Sequence, residues 1–195
     1  MRGMTLTTVL FVGGLSRRMG SDKATIELGG QPLWARQLNL LRELQPQALW
    51  ISARTRPAWC PPEIEVVIDV PPSRGPLSGL AAVLSILNTS HLLALAVDLP
   101  QMTSVELRKL WNLASPGRGV IPANRENFEP LCAIYPIEAA SLTARMLAGS
   151  NFSLQHLAQV LLRGNYVESC PLTELEKPLF FNANSPADLR AFRRA

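Results

Sequence analysis

Cysteine and histidine are scarce in this chain. Its 195 residues hold three cysteines and two histidines. Cys60, Cys132 and Cys170 stand far apart in neither a zinc nor a redox spacing, and they read as reduced packing residues. His91 and His156 belong to no metal motif and take no role. No apolar run approaches the length of about 18 residues that a membrane span requires. Residues 1–8 are too short and too polar for a secretory signal, so the expectation is a soluble, cytoplasmic protein with no membrane contact. Charged residues are only 17% of the chain against 47% hydrophobic, too little charge for disorder and enough apolar matter for a sizeable core. The net charge of +4 is modest, and aromatics at 6% are not interleaved with basic residues, so nucleic-acid binding is not expected. Arg190, Arg193 and Arg194 read as a solvated helix end favoured by the helix dipole.

What the chain does have begins at residue 8. An apolar run over 8–12 runs into Gly13-Gly14-Leu15-Ser16-Arg17-Arg18-Met19-Gly20-Ser21-Asp22-Lys23. The run reads as a buried strand. The glycines let bare N–H groups approach a ligand, and Arg17, Arg18 and Lys23 add positive charge at the same place. Backbone donors and cations at a strand end make a phosphate-binding loop, which points to nucleotide chemistry. The spacing is neither that of a P-loop nor that of the dinucleotide fingerprint. The plain alternative is a glycine turn with solvated arginines.

Downstream, apolar runs alternate with helical patterns, the mark of a parallel α/β sheet. Helices are predicted from Pro32, from Pro76 and after the Thr103/Glu106 capping pair, then over 137–148 and 153–162, with a last one after Ser185-Pro186. Strands are predicted over 48–53, 65–68, 92–97, 119–123, 131–135 and 166–169. With no clear linker, residues 1–195 read as one domain.

In such sheets ligands bind beyond the carboxyl ends of the strands. Asp98 stands there, directly after a buried run. A carboxylate so anchored is costly unless it meets a cation, and magnesium is the natural one. The alternative is a turn or N-cap aspartate ahead of Pro100. Asp69 either accepts hydrogen bonds from a base or ribose or sits in a turn. The segment from Arg74 to Gly79 offers a helix N-terminus beside the site, or plain helix initiation. Asn182 and Asn184 present two uncharged amides, for a ring system or as an Asx turn.

Together these motifs resemble the molybdenum cofactor guanylyltransferases. The matching residues are the loop over 13–23, Asp69, Gly75-Pro76-Leu77 with Gly79, Asp98-Leu99-Pro100, Glu129-Pro130-Leu131, and Asn182, Asn184, Pro186, Asp188 and Leu189. The resemblance covers nearly the whole chain. It implies a Rossmann-like three-layer nucleotidyltransferase fold with a mostly parallel sheet. It also implies a reaction in which GTP and molybdenum-bound molybdopterin give the guanine dinucleotide form of the cofactor and pyrophosphate. On that likeness Phe11, Val12 and Gly13 contact the nucleotide, Lys23 the phosphates, and Ser52 and Asp69 the nucleoside, while the loop's own chemistry suits Arg18 and the amides of Gly13 and Gly14 to the charge on the leaving pyrophosphate. Asp98 holds magnesium, and Asn182 and Asn184 lie on the pterin side. Phe11-Val12 and Ser52 depart from the family's usual residues, both on the nucleoside side, while Gly13 and Gly14 lean toward guanine over cytosine. The partners expected are GTP and molybdopterin, other cofactor-biosynthesis proteins and acceptor molybdoenzymes, with the chain itself a monomer. Two other enzyme readings remain open, a cytidylyltransferase and a sugar-phosphate nucleotidyltransferase. The non-catalytic readings are a cofactor carrier and a nucleotide-sensing module.

Overall fold

The computed structural model describes residues 3–12, 23–69, 72–125, 127–183 and 188. Gly13, Gly14, Arg18 and Asn184, and the helix predicted after Ser185-Pro186, lie outside the described residues.

Among the described residues, ten strands and five α-helices follow one another. They are β1 (Leu6–Phe11), β2 (Glu27–Leu28), β3 (Gln31–Pro32), α1 (Leu33–Arg42), β4 (Ala48–Ala53), β5 (Glu65–Ile68), α2 (Pro76–Ser85) and β6 (His91–Ala96). The chain continues with α3 (Ser104–Leu113), β7 (Gly119–Asn124), β8 (Asn127–Phe128), β9 (Cys132–Pro136), α4 (Ala139–Leu147), α5 (Leu154–Arg163) and β10 (Val167–Pro171). Single turns of 3-10 helix occupy Lys23–Thr25 and Lys177–Phe180.

The main sheet runs β10-β7-β9-β6-β1-β4-β5, with β8 added on β7. β1 is parallel to β4 and β6, β4 to β5, and β7 to β10. β9 alone of the seven runs against its neighbours. Strand residues alternate between two apolar layers, as a pleat requires. Leu6, Leu10, Leu93, Leu95 and Ile134 face α1 and α3. Val9, Phe11, Leu92, Ala94 and Tyr135 face α2, α4 and α5. Every residue of β1 and β6 is buried, which is why both read as continuous apolar runs.

Helix starts follow local chemistry. Pro76 takes the first position of α2, where a missing N–H costs nothing. Thr103 Oγ1 accepts from Glu106 N–H (3.2 Å) and Ser153 Oγ from His156 N–H (3.5 Å). α4 starts at Ala139, two residues later than its pattern suggests, because residues 137–138 still turn off the end of β9. Three short strands were not expected. β2 and β3 form a hairpin across Gly29 and Gly30, both at positive φ (63° and 78°), and β8 folds back on β7. The cysteines are free, Cys60 and Cys132 buried and Cys170 half-buried. No helix among the described residues is long and apolar enough to cross a membrane.

Candidate active site

The chain builds β1, β4 and β5 outward in one direction, then crosses back to lay β6 on the other side of β1. The carboxyl ends of these four parallel strands therefore share an edge at the point where strand order reverses. Two hydrogen bonds hold the edge together past the strands themselves. Val12 N–H donates to the Ser52 carbonyl (3.1 Å), and Val97 N–H to the Phe11 carbonyl (3.0 Å).

Phe11, Val12, Ser52, Asp69 and Asp98 all lie along this edge, as their positions at strand ends predict. Phe11, Ser52 and Asp69 are buried, and Asp69 N–H donates to the Ala53 carbonyl (3.4 Å). The first turn of α2 is pressed against them. A Cβ on Gly79 would lie 2.7 Å from Ser52 Oγ and 3.3 Å from the Phe11 ring, so the helix reaches this depth only with glycine there. Ser78 Oγ accepts from Arg74 N–H (2.7 Å), tying the preceding turn to the helix.

Lys23 crosses to the same edge. Its Nζ stands 3.6 Å from Asp98 Oδ2, with both side chains about a quarter exposed or less (21% and 25%). Burial pushes the Asp98 carboxyl above the usual carboxylate range, against the opposing pull of the Lys23 ammonium and of its own backbone N–H.

Beside Asp98 opens a cavity of about 440 Å³, walled by Glu129, Phe128, Phe152, Gln155 and Asn182. Gln155 fixes its rim, accepting from Phe128 N–H and donating to the Phe128 carbonyl (both 2.8 Å). The Arg74 guanidinium lies 4.8 Å from the Phe152 ring centre. Asn182 thus shares a cavity with Asp98, while Asn184 is outside the described residues.

Glu129 is the residue to which sequence reasoning gave no role. Burial, and then the negative charge of Asp98, push its carboxyl up to about 7. The signal was there in the matched Glu129-Pro130-Leu131. Its meaning depends on β9 running backwards, which carries the start of that strand to the edge where the parallel strands end.

Among the described residues no three or more His, Cys, Asp or Glu side chains are grouped so as to hold a metal ion. The donors present at the edge are carboxylate oxygens, which suit a hard cation. With so few of them, an ion on Asp98 would take most of its oxygens from phosphates and water, which is how magnesium is ordinarily held.

A family model described as the MobA-like NTP transferase domain matches residues 8–163, which include Lys23, Ser52, Asp69, Asp98 and Glu129. The chain belongs to the MobA-like NTP transferase family. As a member of that family it is a nucleotidyltransferase. A probable molybdenum cofactor guanylyltransferase of Opitutus terrae is 33% identical over 192 residues, covering 97% of this chain and 95% of that protein. The molybdenum cofactor guanylyltransferase of Xanthomonas euvesicatoria is 30% identical over 186 residues, covering 92% and 90%. Among solved structures, the molybdopterin-guanine dinucleotide biosynthesis protein A of Archaeoglobus fulgidus superposes with a TM-score of 0.71 at 24% identity, covering 96% of this chain and 97% of that one. A 2-C-methyl-D-erythritol 4-phosphate cytidylyltransferase of Thermus thermophilus superposes with a TM-score of 0.67 at 14% identity, covering 95% and 96%. At such identities the structural likeness speaks for the fold, which guanylyl- and cytidylyltransferases share.

Proposed function

We propose that this chain transfers GMP from GTP to molybdenum-bound molybdopterin, forming the guanine dinucleotide cofactor and releasing pyrophosphate. The pairing of Lys23 with Asp98 at the switch-point edge, beside a cavity large enough for part of a second substrate, carries the reading. The curated relatives bear the same activity in their names at 33% and 30% identity.

The terminal phosphate of molybdopterin attacks the α-phosphorus of GTP. A phosphorus–oxygen bond forms there, and the bond from the α-phosphorus to the α–β bridging oxygen breaks. The bonding electrons leave with pyrophosphate. A phosphate monoester loses its second proton near pH 6, so the nucleophile is already ionised at neutral pH and needs no base. The remaining task is to bring two polyanions together and hold the charge that builds on the leaving group. Lys23 and Arg18 supply cations, and the amides of Gly13 and Gly14 supply donors. Phe11, Val12, Ser52 and Asp69 seat the nucleoside. Asn182 and Asn184 serve the pterin side. Asp98 would hold magnesium, which when bound neutralises phosphate charge and polarises the phosphorus–oxygen bonds. The whole works as one domain, its N-terminal part holding the nucleotide and its C-terminal part the pterin.

Release of pyrophosphate from GTP and from CTP, each with molybdopterin, tests the reading. GTP should be the better substrate by a wide margin. Equal or better turnover of CTP overturns the guanylyl assignment, and no turnover with either removes the enzymatic one. Lys23→Ala should lower kcat/KM by about a hundredfold or more, as loss of a charge-stabilising donor commonly does, while leaving the melting temperature within a few degrees. Unchanged kinetics would take Lys23 out of the site.

A further inference from the structure

Asp98 leads a turn whose three successive backbone carbonyls are all held from outside. The Asp98 carbonyl accepts from Ala183 N–H (2.9 Å). The Leu99 carbonyl accepts from Met102 N–H (3.2 Å) and from Gln37 Nε2 (2.6 Å). The Pro100 carbonyl accepts from Arg36 Nε (3.2 Å). Neighbouring residues of α1 thus reach across 62 and 64 positions of sequence to grip the turn that follows β6.

Gln37 is the informative member. It is fully buried, and its Oε1 has no hydrogen-bond partner. Only nitrogen can donate to the Leu99 carbonyl, so the amide cannot rotate to relieve this. A buried acceptor left unpaired costs free energy, and the Leu99 carbonyl already has a partner in Met102 N–H. For stability alone, an apolar side chain of equal length serves better at position 37. What the amide adds is a second restraint on the backbone that carries Asp98. Arg36 is different in setting. It borders an open cavity of about 790 Å³ with Gly29, Gly30 and Gln101, so shortening it leaves no void in the core.

We propose that Gln37 and Arg36 are positioning residues that fix the Asp98 turn, so that its carboxylate is presented to the metal–phosphate complex in one orientation. The inference rests on the reading of Asp98 as the metal-holding carboxylate. Gln37 and Arg36 make these bonds to the Leu99 and Pro100 carbonyls, not to the Asp98 carboxylate. Both act through the backbone, and a fixed backbone is what keeps a lone carboxylate within productive geometry.

The test uses Gln37→Met, Arg36→Met, Arg36→Lys and Asp98→Asn in the full chain. Three quantities are read: kcat and KM for GTP, manganese affinity by electron paramagnetic resonance with GTP present, and melting temperature. Gln37→Met should melt at the wild-type temperature or above it, yet lose kcat and manganese affinity by about tenfold to a hundredfold, the usual effect of loosening a ligand's support, with KM for GTP little changed. Arg36→Met should lose the same two quantities, and Arg36→Lys should recover much of the loss. Wild-type kcat and manganese affinity in both Met variants would overturn the proposal. So would a Gln37→Met protein whose stability and activity fall together, since that is the mark of packing alone. Asp98→Asn separates the two failures. If it keeps turnover, the assignment of Asp98 falls. If it abolishes turnover while the α1 variants do not change it, the α1 inference alone falls.

Discussion

Gly79 shows how much of the site is decided by a single missing methyl group. Replacing it with alanine sets a Cβ 2.7 Å from Ser52 Oγ and 3.3 Å from the Phe11 ring. Overpacking of this kind costs about 1–3 kcal/mol. Alanine's better helix propensity returns about 1 kcal/mol of that. Gly79→Ala should therefore be destabilised by up to about 2 kcal/mol, and its affinity for GTP should fall further than its stability, because both displaced groups are ones proposed to seat the nucleoside. The Ser52 hydroxyl is the nearer obstacle. Adding Ser52→Ala should recover stability beyond the sum of the two single changes, a coupling that thermal melts of the four proteins would measure. Strict additivity would mean that α2 shifts bodily and the contact with Ser52 decides nothing.

Among the elements, the segment after β10 depends on α3. Lys109 on α3 pairs with buried Glu106 one turn back and with Glu176. The Lys109 ammonium, with Thr173 N–H, holds the Glu176 carboxyl down at about 2, and Glu176 in turn raises the lysine. Glu176 stands at the head of the 3-10 turn that buries Phe180 and leads to Asn182 and Ala183, the latter bonded to the Asp98 carbonyl. Lys109→Met should leave the sheet intact but loosen this segment. Hydrogen exchange should rise at 177–183 and stay unchanged in β1 and β6. Because Glu176 is held below its unfolded value, its stabilising effect is complete above about pH 4.5 and fades as the pH falls toward 2. The extra exchange should accordingly shrink in acid. Exchange confined to α3 would show that the ion pair serves the helix and not the segment.

The same scale explains what could be read from the chain. β1, β4 and β6 were legible because parallel strands buried on both faces read as apolar runs, β5 because Val66, Val67 and Ile68 make a short apolar run at the sheet edge, and α1, α2, α3 and α5 because their starts carry Pro32, Pro76, Thr103 and Ser153. β2, β3 and β8 were not, since two residues hold no period. The reversal of β9 was readable in principle. Residues 125–131 are too few for the crossover of a dozen or more residues that a parallel return from β7 needs. With the direction of β9 unassigned, Glu129 had no role in the sequence reading, while Ser52, Asp69 and Asp98 stood out at the ends of parallel strands and Lys23 at the end of the glycine loop. Gln37 was hidden for another reason. Only tertiary structure brings α1 to the Asp98 turn.

For the molecule as a whole, a buried and a half-buried group at opposite ends of the sheet tilt stability in opposite directions over the same pH range. His91, at the start of β6, is fully buried. Its Nδ1 meets Ser90 Oγ (2.9 Å), and its Nε2 meets the carbonyls of Ser115 and Arg118 (3.1 and 3.3 Å). Two carbonyls at one nitrogen place the proton on Nε2. Burial holds this imidazole below its ordinary value of 6.5. As the pH falls below 6.5 the unfolded chain gains a proton there that the folded chain refuses, so stability drops toward acid. Glu129, at the far edge, is raised to about 7 by burial and by Asp98. Between its ordinary value of 4.5 and 7 the folded chain keeps a proton that the unfolded chain has lost, so here stability drops toward alkali. Glu129→Gln removes the second slope and leaves the first. In metal-free buffer the melting temperature of Glu129→Gln should match wild type near pH 4 to 5, rise above it through pH 6, and stay above it by a constant margin beyond pH 8. A margin that does not change with pH would mean that Glu129 titrates normally and that Asp98 does not act on it. If the margin opens as expected and then closes when magnesium and GTP are added, cation binding offsets the repulsion between the two carboxylates, tying stability to the edge proposed to do the chemistry.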